Sequence, residues 1–129
     1  MGTLQLHRLH GRWLAVRAGL LVANGADHNF VGGNISNANQ GPPGNGAGIA
    51  LLSVTGNTVA GNVANLNLAV GIGAFEGLPG DTAGNVVTGN VANGNHFHGI
   101  DVVAGTVDGG GNIANHNTPP PDCLGVACR

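Results

Sequence analysis

The chain reads as an all-β protein, a parallel β-solenoid of about four coils, and three periodic features carry that reading. One short motif occurs four times, as Gly33-Asn34-Ile35-Ser36-Asn37-Ala38-Asn39, Gly61-Asn62-Val63-Ala64-Asn65-Leu66-Asn67, Gly89-Asn90-Val91-Ala92-Asn93-Gly94-Asn95 and Gly111-Asn112-Ile113-Ala114-Asn115-His116-Asn117, with starts 28, 28 and 22 residues apart. A second landmark lies upstream of each motif, at Gly19-Leu20-Leu21-Val22, Gly48-Ile49-Ala50-Leu51, Gly71-Ile72-Gly73-Ala74 and Gly99-Ile100-Asp101-Val102. In the last three, apolar residues alternate with small or polar ones, the period of a strand with one face buried. The third landmark is Asn29, Asn57 and Asn85, each two residues before Val31, Val59 and Val87. Repeats of this length are units that bury an apolar face only by stacking on neighbours. Asn and Gly are poor residues for a helix interior, which leaves strands as the stacked element.

Each repeat is therefore a strand starting at Gly-Ile, a turn, a strand through Asn-x-Val-x-Gly-Asn-Val, and an Asn-rich corner. Stacking in register predicts three inward columns: Leu20, Ile49, Ile72 and Ile100; Val31, Val59 and Val87; and Ile35, Val63, Val91 and Ile113. β-Branched side chains suit a buried pleated surface. The asparagines fall into columns 29/57/85, 34/62/90/112, 37/65/93/115 and 39/67/95/117. They are expected outside the core, as corner residues that tolerate left-handed backbone angles and whose amides bond along the rod. Two insertions interrupt the regularity, within Gln40-Gly41-Pro42-Pro43-Gly44-Asn45 and Glu76-Gly77-Leu78-Pro79-Gly80-Asp81. Insertions in repeats map to loops, often on a binding face.

Residues 19–117 carry the repeats, and the flanking segments differ from them. Residues 1–18 contain no Asn, three of the four Arg and the only Trp. Leu9, Trp13, Val16 and Leu20 fall at helical spacing, so this segment is expected to cap the first coil as a short helix, or to be the remnant of an upstream coil. Arg17 interrupts the apolar run after Trp13, which argues against a cleavable signal peptide, and no stretch is long enough to span a membrane. Residues 118–129 form a Pro-rich tail ending in Cys123 and Cys128. Two cysteines do not make a metal site, which needs about four ligands. A local Cys123–Cys128 disulfide is the expected state, and it points to an extracellular or periplasmic location.

Composition excludes several functions. With 129 residues, 8% of them charged, a net charge of −2 and all the Arg outside the repeats, there is no basic face for nucleic acid. A hydrophobic content of 42% with so little charge also excludes a disordered chain.

The four Gly-Asn-[Ile/Val]-[Ala/Ser]-Asn-x-Asn motifs and the four Gly-Ile-type strands closely resemble the right-handed parallel β-helix repeat proteins of the pectate-lyase-like superfamily. That superfamily includes carbohydrate-binding and sugar-hydrolase repeats and the NosD-like copper-site maturation proteins. The tail Thr118-Pro119-Pro120-Pro121-Asp122-Cys123-Leu124-Gly125-Val126-Ala127-Cys128 looks like the Cys-closed ends of its secreted bacterial members. The resemblance implies a right-handed β-helix and an association with polysaccharide. It does not specify an activity, because one scaffold hosts many. The superfamily's lyases use an Arg or Lys base, and the repeats here contain neither. Its hydrolases use close carboxylates on one strand face, and paired-acid hydrolysis needs two carboxyl groups about 5–9 Å apart. Asp101 is the only carboxylate in any Gly-Ile strand.

The remaining constellation is His96, His98, Asp101 and His116. His96 and His98 share a face if the backbone is extended, and His116 aligns with Gly94 one coil earlier. Three imidazoles and a carboxylate have the chemistry to hold Zn²⁺ or Cu²⁺, or to bind a ligand. The expectation is a non-catalytic, carbohydrate-associated extracellular module that needs no cofactor. Its alternatives are the C-terminal part of a secreted polysaccharide-active enzyme, or a metal-binding module at the histidine corner.

Overall fold

The structure is a computed structural model that describes residues 3–9, 12–42 and 45–129. The described residues contain strands and turns and no helix. The strands in chain order are β1 (Thr3–Leu9), β2 (Arg12–Ala23), β3 (Phe30–Gly32), β4 (Ala47–Leu52), β5 (Thr58–Ala60), β6 (Ile72–Phe75), β7 (Val86–Thr88), β8 (Ile100–Val102), β9 (Val107–Gly110) and β10 (Cys123–Leu124). They form a six-stranded sheet in the order β1-β2-β4-β6-β8-β10 and a four-stranded sheet in the order β3-β5-β7-β9. All neighbours from β2 onward are parallel. A third side has no strands of its own, only the parallel bridges Ile35–Val63, Val63–Val91 and Val91–Ile113. This is the organisation of a parallel β-solenoid, and the observed register matches the sequence columns: Leu20 pairs with Ile49, Ile49 with Ile72, Ile72 with Ile100, and Val31 with Val59 with Val87.

The inside of the solenoid differs from expectation in one column. Ile49, Ile72, Ile100 and Val59 are fully buried and Val87 nearly so, and they join Val22, Val31, Leu51 and Val54 in one core. The third column points the other way. Ile35 is 75% exposed, and Val63, Val91 and Ile113 are half-buried. What turns inward beside it is Asn62, Asn90 and Asn112 on one side and Ala64, Ala92 and Ala114 on the other. Side chains alternate across an extended backbone, so burying the Asn and Ala positions sends the β-branched residue between them outward.

Three of the four Asn columns are therefore internal. Asn57, Asn62, Asn67, Asn85 and Asn90 are fully buried, and Asn95 and Asn112 are 1% exposed. A buried amide is tolerable only if its donors and acceptor are paired. Here they are: Asn62 Nδ2 donates to Asn90 Oδ1 (3.0 Å) and to Val31 O (2.9 Å), while Asn62 Oδ1 accepts from Asn34 N and Nδ2 (2.9 and 3.0 Å). The pattern repeats from Asn39 through Asn67 and Asn95 to Asn117. Asn in these columns is selected for hydrogen bonding and not for left-handed angles. Among the described Asn residues only Asn24 has a positive φ; within the motif the left-handed positions are its Gly and the column Ala38, Leu66, Gly94 and His116, with φ of 54, 57, 64 and 59°.

The glycines of the Gly-Ile landmark have a packing reason. A Cβ at Gly71 would lie 2.6 Å from Gly99 O, 2.7 Å from Asn95 Nδ2 and 2.8 Å from Ala64 O. Gly48 and Gly99 meet the neighbouring Asn ladder in the same way. Each of these glycines thus leaves room for a ladder amide: Asn67 beside Gly48, Asn95 beside Gly71 and Asn117 beside Gly99.

Both flanking segments extend this scheme. The segment 1–18 is not helical where it is described. β1 pairs antiparallel with the first half of β2, from Thr3 opposite Ala18 to Leu9 opposite Arg12. Met1, Gly2, His10 and Gly11 of that segment lie outside the described residues, as do Pro43 and Gly44 of the first insertion. The second half of β2 is fixed by pairing with β4, and a strand continuous with a sheet edge outcompetes a single short helix, which is marginal in isolation. At the other end, residues 118–129 imitate one more repeat. Cys123 and Leu124 pair in parallel with Ile100 and Asp101. Arg129 N donates to Asn112 O and Ala114 N to Arg129 O, both at 3.0 Å, the bonds that Ile113 makes to the repeat before it. The Cys123–Cys128 disulfide closes the loop, and Cys123, Val126 and Cys128 pack against the core.

The second insertion is an ordered loop. Asp81 accepts from Gly77 N (3.2 Å) and Leu78 N (2.9 Å), and Glu76 accepts from Gly80 N (2.9 Å). Outside the larger sheet, Ala18, Ala47, Ala50 and Val70 form a second small apolar cluster against Leu21 and Phe75.

Candidate functional site

The histidine corner sits where the last motif meets the tail. His98 precedes β8, and its Nδ1 donates to Pro121 O at 2.6 Å. His116 occupies the left-handed corner position and is exposed. Between them lies Asp122, whose Oδ1 accepts from Asn117 N (2.9 Å) and Asn117 Nδ2 (2.8 Å). Those two bonds hold the Asp122 carboxyl below its ordinary range, against a small burial effect, and the charges of His116 and His98 add to the lowering. Asp122 takes the place that an Asn of the next repeat would fill, so it ends the 39/67/95/117 ladder with an acceptor and no donor.

Neither His96 nor Asp101 makes a side-chain hydrogen bond to this corner among the described residues. His96 is exposed, and its backbone N donates to Asn67 O at 2.9 Å. Asp101 is half-buried on the outer face of β8, in a column with Gly73 and Leu124. Among the described residues no group of three or more His, Cys, Asp or Glu side chains is arranged to hold a metal ion. Beside the corner is an open recess of about 410 Å³, lined by Ala114, Asn115, Pro121, Asp122 and the Cys123–Arg129 loop. Sequence reasoning missed Asp122 and Arg129 as parts of this end. The signal available was positional: Asp122 follows the last ladder Asn and directly precedes a residue that takes the strand position of Ile100.

The carboxylates are occupied by backbone. Asp27 Oδ1 accepts from Thr55 N (2.6 Å), Asp108 accepts from Gly110 N and Ala127 N (both 2.9 Å), and Glu76 and Asp81 are engaged within their loop. Two backbone N–H groups, from Ala127 and then Gly110, lower the Asp108 pKa. Burial works to raise that of Asp81, but its bonds from Leu78 and Gly77 prevail and the net direction is down. Asp81 and Asp108, held ionised by these bonds, are poor proton donors near neutral pH. Asp101 alone makes no hydrogen bond among the described residues.

The other ordered feature is the third side. Ile35, Val63, Val91 and Ile113 form an outward row beside Asn37, Asn65, Asn93 and Asn115, the one external Asn column. Its Oδ1 atoms accept from the backbone N of the following repeat, Asn37 from Asn65 (2.7 Å), Asn65 from Asn93 (2.8 Å) and Asn93 from Asn115 (2.8 Å). This fixes the amides of Asn37, Asn65 and Asn93 and leaves their Nδ2 groups without a partner among the described residues. The rows repeat at the interstrand spacing of about 4.8 Å.

The fold and these surfaces define the class as far as a parallel β-solenoid with buried Asn ladders. No protein-family model, curated protein or solved structure matches the chain.

Proposed function

We propose that this chain is a non-catalytic extracellular module, a right-handed parallel β-helix of about four coils allied to the pectate-lyase-like superfamily, that binds polysaccharide along its third side. The observation that supports this is the paired outward row: four β-branched side chains beside four amides, of which Asn37, Asn65 and Asn93 are fixed in direction with their Nδ2 donors free among the described residues. A sugar ring presents hydroxyl acceptors at its edge and C–H groups on its faces, so a ribbon of aliphatic groups bordered by donors complements a chain of such rings. β-Branched side chains and ladder-bound amides have little rotamer freedom left to lose on binding, which favours even a shallow surface. An extracellular location rests on the Cys123–Cys128 disulfide.

The test is retention on a panel of neutral and uronic-acid polysaccharides in affinity electrophoresis. Wild type is expected to be retarded by at least one member without degrading it. The double substitution Asn65→Ala and Asn93→Ala should abolish the retardation while keeping the β-structure, whereas His98→Ala should leave it intact. Retardation that survives the Asn pair, or that His98→Ala removes, overturns the third-side site.

A further inference from the structure

The two ends of the solenoid are chemically different, because the internal ladders are directional. In every step the earlier Asn donates through N and Nδ2 to Oδ1 of the later residue: Asn29 to Asn57 to Asn85, Asn34 to Asn62 to Asn90 to Asn112, and Asn39 to Asn67 to Asn95 to Asn117. The first members, Asn29, Asn34 and Asn39, therefore present Oδ1 acceptors that receive no hydrogen bond among the described residues. Among the described residues the strand edges at that end are also unpaired over part of their length. β1 covers β2 only as far as Ala18, and β3 ends the four-stranded sheet. Thr58 N donates to Asn29 O and Gly33 N to Ala60 O, so these residues face β5. Alternation along β3 then turns the Phe30 N–H toward the open edge.

The opposite end is the donor end, and the tail occupies it. Asp122 receives both Asn117 donors, β10 pairs with β8, and Arg129 bonds to Asn112 and Ala114. If the tail were absent, the surface left at Ile100–Val102, Ile113 and Asn112/Asn117 would match the acceptor surface at Leu20–Val22, Ile35 and Asn34/Asn39, whereas the Asn29 ladder ends one repeat earlier, at Asn85. Two acceptor ends cannot pair with each other, since Oδ1 would face Oδ1. A head-to-tail contact sets the Asn112 and Asn117 donors against the Asn34 and Asn39 acceptors, and a heterologous contact of that kind propagates into an open filament.

We propose that residues 118–129 are an assembly block: they plug the donor end of the ladders, which otherwise fits the acceptor end of a second copy of this chain. The proposal is independent of the polysaccharide reading. Edge protection of this type is a general need of β-proteins, and solenoids meet it with atypical terminal repeats.

The test uses the full chain. Oxidised wild type is expected to be a monomer of 12.7 kDa by size exclusion with light scattering. A full-length variant with Asp122→Ala, Cys123→Ser and Cys128→Ser unlatches the tail and should form concentration-dependent oligomers whose small-angle scattering shows a longer rod of unchanged cross-section. Asp122→Lys, with the disulfide intact, is the milder variant and should shift in the same direction, by setting a cation against the two Asn117 donors. Adding Phe30→Pro to either variant removes an edge N–H that serves no bond among the described residues, and should restore the monomer. Folded monomers from both tail variants overturn the proposal, and so does oligomerisation that Phe30→Pro fails to stop. Loss of β-structure in both tail variants overturns it as well, because the tail would then be needed to fold the chain and not to close one end.

Discussion

At the scale of single residues the same amino acid does two jobs in this chain. Asn62 and Asn65 are three positions apart in one motif, yet Asn62 is fully buried with all its hydrogen-bonding groups paired, whereas Asn65 lies on the outside with its Nδ2 free. Asn62→Ala would strand the two Asn34 donors and the Val31 carbonyl. At about 1–3 kcal/mol for each buried group left unpaired, it is expected to cost about 3 kcal/mol in urea unfolding. Asn65→Ala frees one exposed N–H to water and should cost below about 1 kcal/mol. The β-branched residues divide likewise. Val59→Asp places a charge in the core and should abolish the cooperative melt, while Val63→Asp, on the half-exposed outward row, should retain it. A sequence reading that puts Val63 in the core predicts the opposite, so this pair of melts separates the two registers.

At the scale of elements, the strands are short and the bonds between repeats carry the architecture. β3, β5, β7 and β8 are three residues each, and the third side is held by isolated bridges. Strands that short derive their stability from stacking on both neighbours. The Gly-Ile strand start shows how tight the stacking is. Gly71→Ala puts a methyl group 2.6 Å from Gly99 O and 2.7 Å from Asn95 Nδ2, both fixed in place. Overpacking of this kind is expected to destabilise the fold by about 1–3 kcal/mol, read as a lower urea midpoint. The repeat positions and strand pairings were legible before the structure, because a fixed spacing aligns like residues whatever their orientation. The orientation of the Gly-Asn-Ile/Val segment was not legible. Hydrophobicity favours burying Ile and Val, and only the ladder of mutually satisfied amides reverses that choice. The N-terminal hairpin was missed for a related reason: the apolar spacing at Leu9, Trp13, Val16 and Leu20 suits a helix, but the partner that makes β2 a strand is β4, about 30 residues away in sequence.

At the scale of the whole molecule, acid should weaken the fold. Asp81, Asp108 and Asp122 all have lowered pKa values in the folded state, through bonds from backbone N–H groups and, for Asp122, the Asn117 side chain. A carboxylate with a depressed folded pKa adds stability above its unfolded value, about 3.9 for Asp, and loses it as pH falls through the folded value. The melting temperature should therefore be flat near neutrality and fall below about pH 4. Asp122→Asn keeps an acceptor for Asn117 but removes the titrating charge, so its melting temperature should fall less over that acid range. An equal fall in both proteins would place the acid sensitivity elsewhere.

What the sequence determined by itself was periodic: an all-β parallel solenoid, the register of its columns, the two insertions and the paired cysteines. These follow from spacing, and spacing survives translation from sequence to space because each repeat stacks on the last. The tertiary structure alone decided which columns face inward, which way the ladders run, and how the tail closes the end. Each of those depends on where a polar group finds its partner: the ladder amides find theirs 22 to 31 residues away, and Asp122 meets Asn117 only because the tail folds back on the last repeat. The position of Asp122, just before the residue that pairs with Ile100, was the local signal for its role, and that signal gains meaning only once the tail lies against the last repeat.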